Sequence, residues 1–118
     1  MKSQYLGRYS VADSGITFLL GSPIEGMKVR LRRLYATVRT AVSAGGTLTL
    51  TVQAKDLDGG VTTLGSVNIT EASSQGDKVT GNGGGDCYDA DEIQVAVSTS
   101  GGPVDGEADL WVEFEWRR

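Results

Sequence analysis

At 118 residues the chain is long enough for one modest hydrophobic core and too short for two. Apolar residues make up 39% and charged residues 22%, which excludes the composition of a disordered chain. The formal net charge of −4 argues against nonspecific nucleic-acid binding, and there is no apolar run of about 18 residues that could cross a membrane. We therefore expect one domain, with no leader peptide, that binds neither nucleic acid nor membrane.

The N-terminal residues 1–15 are polar with scattered aromatic side chains, among them Tyr5 and Tyr9. This pattern fits either an extended arm or an edge strand. The apolar run from Ile16 to Leu20 predicts a short strand, which ends at the turn signal Gly21-Ser22-Pro23.

From Met27 to Thr40 apolar and charged residues alternate, which predicts a strand. One side of its first half carries the basic stripe Lys28, Arg30 and Arg32. After Arg33 the apolar positions shift by one residue to Leu34, Ala36 and Val38. One inserted residue in a strand produces such a shift, so we predict a β-bulge near Arg32-Arg33.

The remaining sequence predicts a hairpin, a long loop and two further strands. Alternate positions of the hairpin are predicted to share one face. They are Leu48, Leu50, Val52 and Ala54 on one arm and Val61, Thr63, Gly65, Val67 and Ile69 on the other. Residues 70–91 have few large apolar side chains and many glycines, so most of them are assigned to the loop. The last strands have apolar positions at Ile93, Val95 and Val97 and at Leu110, Val112, Phe114 and Trp116.

Roughly seven to eight strands, each with one apolar face, predict an all-β fold built as an antiparallel β-sandwich. Jelly-roll connections are one arrangement of such strands. Residues 16–118 form the predicted single sandwich domain, preceded by the N-terminal arm or edge strand and interrupted by the glycine-rich loop.

The absence of histidine removes the commonest general base and the usual nucleophile systems. Glu113 and Glu115 could act as a carboxylate pair in a hydrolase, but their strand positions are typical of solvated or ion-paired side chains. Cys87, the only cysteine, excludes an intrachain disulfide and has no histidine to activate it. We therefore expect no enzyme activity and no cofactor.

The run from Gly81 to Asp89 differs by about one residue from a glycine- and aspartate-rich repeat that binds calcium. That architecture needs stacked copies, and only one copy is present. We therefore interpret the run as a flexible loop, and leave open whether residues 81–91 bind a cation.

The candidate interaction surface combines the basic stripe with aromatic side chains outside the predicted core. Its members are Lys28, Arg30, Arg32, Trp111, Tyr5 and Tyr9. The stripe could bind a partner or could pair across strands with Glu113 and Glu115. Trp111 could anchor an interface or could be covered by the N-terminal arm.

The layout from Gly26 to Trp116 resembles the small decoration, or cement, proteins of tailed-bacteriophage capsids. The similarity lies in the basic strand MKVRLRRLYATVRTA, the hairpin GGTLTLTVQAKDLDGG, the glycine-rich loop, DADEIQVAVSTSGG and the last strand ADLWVEFEW. The resemblance implies a β-sandwich or β-barrel-like domain on the outside of the virion. It also implies that the protein is made in the host cytoplasm and binds the major capsid protein as a homo-oligomer, a dimer or a trimer. It carries over no catalytic residues.

A second hypothesis is a binding module of a phage tail or fibre that recognises a host-surface glycan. In that case an exposed aromatic side chain such as Trp111 or Tyr88 would contact the sugar.

Overall fold

The computed structural model describes residues 3–20 and 27–117, so the predicted turn at Gly21-Ser22-Pro23 lies outside it. The described residues form strands and one short 3-10 turn at Val11–Asp13, and none of them forms a helix able to span a membrane. The strands are β1 (Gln4–Ser10), β2 (Thr17–Leu19), β3 (Met27–Thr40), β4 (Thr47–Asp56), β5 (Val61–Thr70), β6 (Lys78–Thr80), β7 (Asp86–Ser100) and β8 (Glu107–Arg117).

The strands form two antiparallel layers, with the orders β1-β8-β3-β6 and β2-β7-β4-β5. The layers join at one corner, where Val29 and Arg30 of β3 pair with Cys87 and Asp86 of β7. Eight strands in these orders make a jelly roll. The predicted antiparallel β-sandwich is therefore confirmed.

The core lies between the layers and follows the period-two pattern of the sequence. In β4 the buried side chains Leu48, Leu50, Val52 and Ala54 alternate with half-buried polar ones. In β8 the buried residues Leu110, Val112 and Phe114 alternate with side chains that face outward. Each strand therefore turns one apolar side to the interior, which is the main source of stability.

The bulge predicted in β3 is confirmed. The pairing of β3 with β8 shifts between Leu31 and Arg33, so Arg32 is the inserted residue. Leu31 and Leu34 are buried on either side of it, while Arg32 and Arg33 are both exposed. Two consecutive arginines thus face the same outer surface.

A second register shift, which the sequence pattern did not indicate, lies between β4 and β5. Val52 pairs with Gly65, whereas the next residue of β4, Gln53, pairs with Thr63. Leu64 consequently occupies a core position, and Val61 and Thr63 are exposed. Their predicted place on the apolar face of the hairpin is therefore wrong.

The glycine-rich loop, residues 81–85, lies between β3 and β5 and is hydrogen-bonded to both. Gly81 N donates to Leu34 O at 2.8 Å, and Ser66 and Asn82 exchange two backbone bonds of 2.9 and 2.8 Å. A Cβ atom on Gly81 would lie 2.4 Å from Ser66 O. The glycines therefore permit close backbone approach, which differs from the flexible loop expected from sequence.

Regular structure also extends further into residues 70–91 than expected. β6 covers Lys78–Thr80, and β7 already begins at Asp86. Cys87 accordingly lies in a strand and is buried as a free thiol.

Candidate functional site

The outer face of the layer β1-β8-β3-β6, called here the ladder face, carries three of the six predicted interaction residues, Tyr5, Arg32 and Trp111. Strand alternation explains this placement, because the buried residues of β8 force Asp109, Trp111, Glu113 and Glu115 to the opposite side. Beyond its bulge, β3 places Arg33 and Tyr35 on the same face, in register with Glu113 and Trp111.

Three aromatic side chains form a row across the ladder face. Tyr5 and Tyr35 flank Trp111, with ring centroids 4.9 and 6.3 Å from the indole, and the Tyr35 ring is within 8° of parallel to it. The Lys78 ammonium lies 4.1 Å from the Tyr35 ring centroid. Such cross-strand aromatic pairs stabilise the sheet and hold the rings in place.

Ion pairs occupy one side of the aromatic row. Arg33 Nε lies 3.7 Å from Glu113 Oε2, and Arg32 Nη1 lies 3.3 Å from Glu115 Oε2. Both pairs join β3 to β8, so the predicted cross-strand pairing of the basic stripe with these glutamates occurs for Arg32. Exposed pairs of this kind each contribute only about 0.2–1 kcal/mol.

A buried carboxylate, Asp109, lies on the other side of the row. It accepts hydrogen bonds of 2.9 Å from the Tyr5 hydroxyl and from Arg8 Nε, and a further bond from Arg39 Nε. The side chain is only 3% exposed. The Arg8 hydrogen bond, against the opposing effect of burial and with help from Arg39 and Tyr5, lowers the pKa of Asp109 to about 2.

The other members of the predicted basic stripe pair at the corner between the layers. Arg30 Nε lies 3.1 Å from Asp86 Oδ1, and the Lys28 ammonium lies 4.5 Å from the centroid of the Tyr88 ring. Tyr88 itself is 67% exposed. Lys28 and Arg30 are therefore separate from the aromatic row.

Tyr9 does not belong to the surface, which corrects its place among the predicted interaction residues. Its side chain is 4% exposed, its hydroxyl donates to Leu6 O at 2.7 Å, and its ring contacts Phe18. Burial raises its pKa to about 12. The tyrosine closes the core between β1 and β2.

Trp111 is half-buried and is partly covered by Tyr5 of β1. This contact matches the alternative in which the N-terminal segment covers the indole, because β1 is an edge strand paired with β8.

Sequence reasoning missed Arg33, Tyr35, Lys78 and Asp109 as members of this face. Alternation could have identified Tyr35 and Asp109, because each lies between two buried positions of its strand. Nothing near Lys78 in the sequence indicates that β6 pairs with β3.

A surface pocket of about 370 Å³ opens beside the aromatic row, between β3, β6 and the glycine-rich loop. Its charged lining consists of Arg32, Arg33, Lys78 and Glu113, and Tyr35 forms part of the wall. Lys78 has no ion-pair partner within the described part of the chain.

Across residues 3–20 and 27–117, no three cysteine, aspartate or glutamate side chains come together as a metal-binding group. Asp86, which lies within the run from Gly81 to Asp89 that is similar to a calcium-binding repeat, pairs with Arg30. Asp56, in the turn between β4 and β5, is also engaged within the chain, because its Oδ1 accepts hydrogen bonds from Asp58 N and Gly60 N and so stabilises that turn.

The site therefore consists of an aromatic row, paired arginines and a pocket lined by three basic side chains, all on one sheet. Comparisons of this chain with protein-family models, with curated proteins and with solved structures found no match.

Proposed function

We propose that this chain is a structural virion protein that binds the outside of a phage capsid shell and stabilises it. Its partner is the major capsid protein, and it acts as a homo-oligomer, a dimer or a trimer. It carries out no enzymatic reaction.

The observation that carries this proposal is the composition of the ladder face. Tyr5, Trp111 and Tyr35 are surrounded there by Arg8, Arg32, Arg33 and Arg39. Tyrosine, tryptophan and arginine are enriched in protein interfaces and dominate their binding energy. A surface with this composition suits docking to another protein.

The face is also held in place before any partner binds. Ring contacts fix Trp111 between two tyrosines, and Asp109 fixes Tyr5, Arg8 and Arg39. Binding then orders few side chains, which lowers its entropic cost. When one oligomer contacts several capsid subunits, these contacts add through effective concentration and oppose dissociation of the shell.

Co-sedimentation with empty shells of the major capsid protein tests this proposal. We expect saturable binding at micromolar concentration and a higher melting temperature of the shell. Trp111→Ala should weaken binding by about 30-fold, as expected for an interface residue worth about 2 kcal/mol.

Thr51→Ala is the matched control, because Thr51 points outward from the other layer, in β4. It should bind within about twofold of wild type. Circular dichroism confirms that both variants fold. Absence of wild-type binding at micromolar concentration would overturn the proposal.

A second candidate function is glycan recognition by a module of a phage tail or fibre. The pocket beside Tyr35 and the exposed ring of Tyr88 favour it, because carbohydrate sites combine aromatic and hydrogen-bonding side chains. A glycan array probed with the labelled protein tests this candidate, and a blank array would rule strongly against it.

A further inference from the structure

The pocket beside Tyr35 owes its charge to the bulge in β3. A regular strand would turn Arg32 and Arg33 to opposite sides, whereas the inserted residue directs both outward. Arg33 is 78% exposed, so its guanidinium can turn toward a ligand at little cost. Lys78 approaches from β6 on the opposite wall.

The charges around the pocket leave a surplus of one positive charge. Arg32, Arg33 and Lys78 contribute three positive charges, Glu113 contributes one negative charge, and Glu115, which pairs with Arg32, contributes another. A ligand group with one negative charge would neutralise the site. Carboxylate is such a group, and its two oxygens match the fork of a guanidinium.

The uncharged lining adds hydrogen-bonding groups. Ser3 and Thr80 contribute hydroxyls, and Gly81 and Gly83 expose backbone without side chains. A ligand that complements these groups carries several hydroxyls in addition to its carboxylate. The volume of about 370 Å³ accommodates one sugar ring.

We propose that this pocket binds a monoanionic sugar acid, with the carboxylate held by Arg33 and Lys78 and the hydroxyls by the polar lining. The inference deepens the glycan-binding candidate and rests on it, and it is independent of docking to a capsid. The inference specifies the class of glycan, which is one that contains a hexuronate or another carboxylate-bearing sugar.

Amide chemical-shift titration of the ¹⁵N-labelled protein with glucuronate tests the proposal. We expect saturating shifts at Tyr35, Thr80 and Gly81, and at least about tenfold weaker binding of neutral glucose. Arg33→Ala and Lys78→Gln should each weaken glucuronate binding about tenfold, which is the loss of about 1.4 kcal/mol. Lys55→Ala is the matched control, because Lys55 lies in β4 on the other layer and should bind as wild type does.

Two further probes test whether binding depends on the charge of the ligand and on its hydroxyls. Inorganic phosphate that bound as tightly as glucuronate would contradict the charge argument. Cyclohexanecarboxylate, which has a six-membered ring and one carboxylate but no hydroxyl, would contradict the role of the hydroxyls if it bound as tightly. Absence of shifts with glucuronate would overturn the inference. None of these results would change the expected co-sedimentation with capsid shells. The proposal of capsid binding and the proposal of sugar-acid binding can therefore fail independently.

Discussion

Asp109 supports the ladder face through its charge, and replacing it with asparagine removes that charge while keeping the shape. The pKa of Asp109 is lowered from 3.8 to about 2, which corresponds to about 2 kcal/mol of stability at neutral pH. Loss of one member of a buried ion pair costs about 3–5 kcal/mol. Arg8 and Arg39 are each about half exposed and can turn to water, so we expect Asp109→Asn to cost about 2–3 kcal/mol.

The effect depends on pH with a defined sign. A carboxyl whose pKa is lower in the folded state stabilises the fold above its unfolded pKa, and this contribution is lost as the pH falls through the folded value. About half of it should remain at about pH 3 and a few tenths of a kcal/mol at about pH 2. The difference between wild type and Asp109→Asn should therefore shrink over this range.

Urea unfolding at about pH 7, 3 and 2 measures both expectations. Asp105→Asn is the control, because Asp105 lies exposed in the turn before β8 and its carboxylate forms no ion pair among the described residues. It should change stability by less than about 0.5 kcal/mol. A similarly small loss for Asp109→Asn at neutral pH, or a loss that stayed constant down to about pH 2, would refute the reasoning.

Three other changes test the packing. Gly65→Ala should lower the free energy of unfolding by more than about 2 kcal/mol, because the added Cβ would lie 2.4 Å from Asn82 O. Urea unfolding measures this loss, and a value below about 0.5 kcal/mol would contradict the close approach of the two backbones. Tyr9→Phe should cost about 1–2 kcal/mol by leaving Leu6 O without its donor. In ultraviolet titration the absorbance change near pH 12 should be smaller by one tyrosine in the variant than in wild type. Cys87 is buried, so Ellman's reagent should label it quickly only after unfolding, and fast labelling of the native protein would show that β7 is not closed there.

The sequence predicted the layers and the bulge because burial on one face imposes a readable period of two. In β3 the shift from Leu31 to Leu34 is visible, because large apolar residues lie on both sides of two arginines. In β5 the corresponding shift at Leu64 is hidden, since Gly65 and Val61 fit the unshifted pattern equally well. A small or ambiguous residue at a bulge therefore removes the signal.

The candidate site was predicted only in part, because its contacts join distant segments. Tyr5 and Tyr9 would lie on the same face of a regular strand. A register shift in β1 between Tyr5 and Gly7 instead turns Tyr5 outward and Tyr9 into the core. Lys78 reaches the pocket through a three-residue strand that has no signature of its own. Such placements depend on tertiary pairing, which local periodicity does not encode.

The glycine-rich loop, residues 81–85, gives one long side of the jelly roll more hydrogen bonds between the layers than the other side has. Backbone bonds from residues 81–85 tie β3 to β5 on one side, whereas the contact between Tyr9 and Phe18 joins β1 to β2 on the other. Thermal opening of the sandwich should therefore begin at the β1–β2 side and leave the opposite side intact. Among the described residues, β1 pairs only with β8 and β2 only with β7. Their outer edges would then become the places where another polypeptide could add a strand.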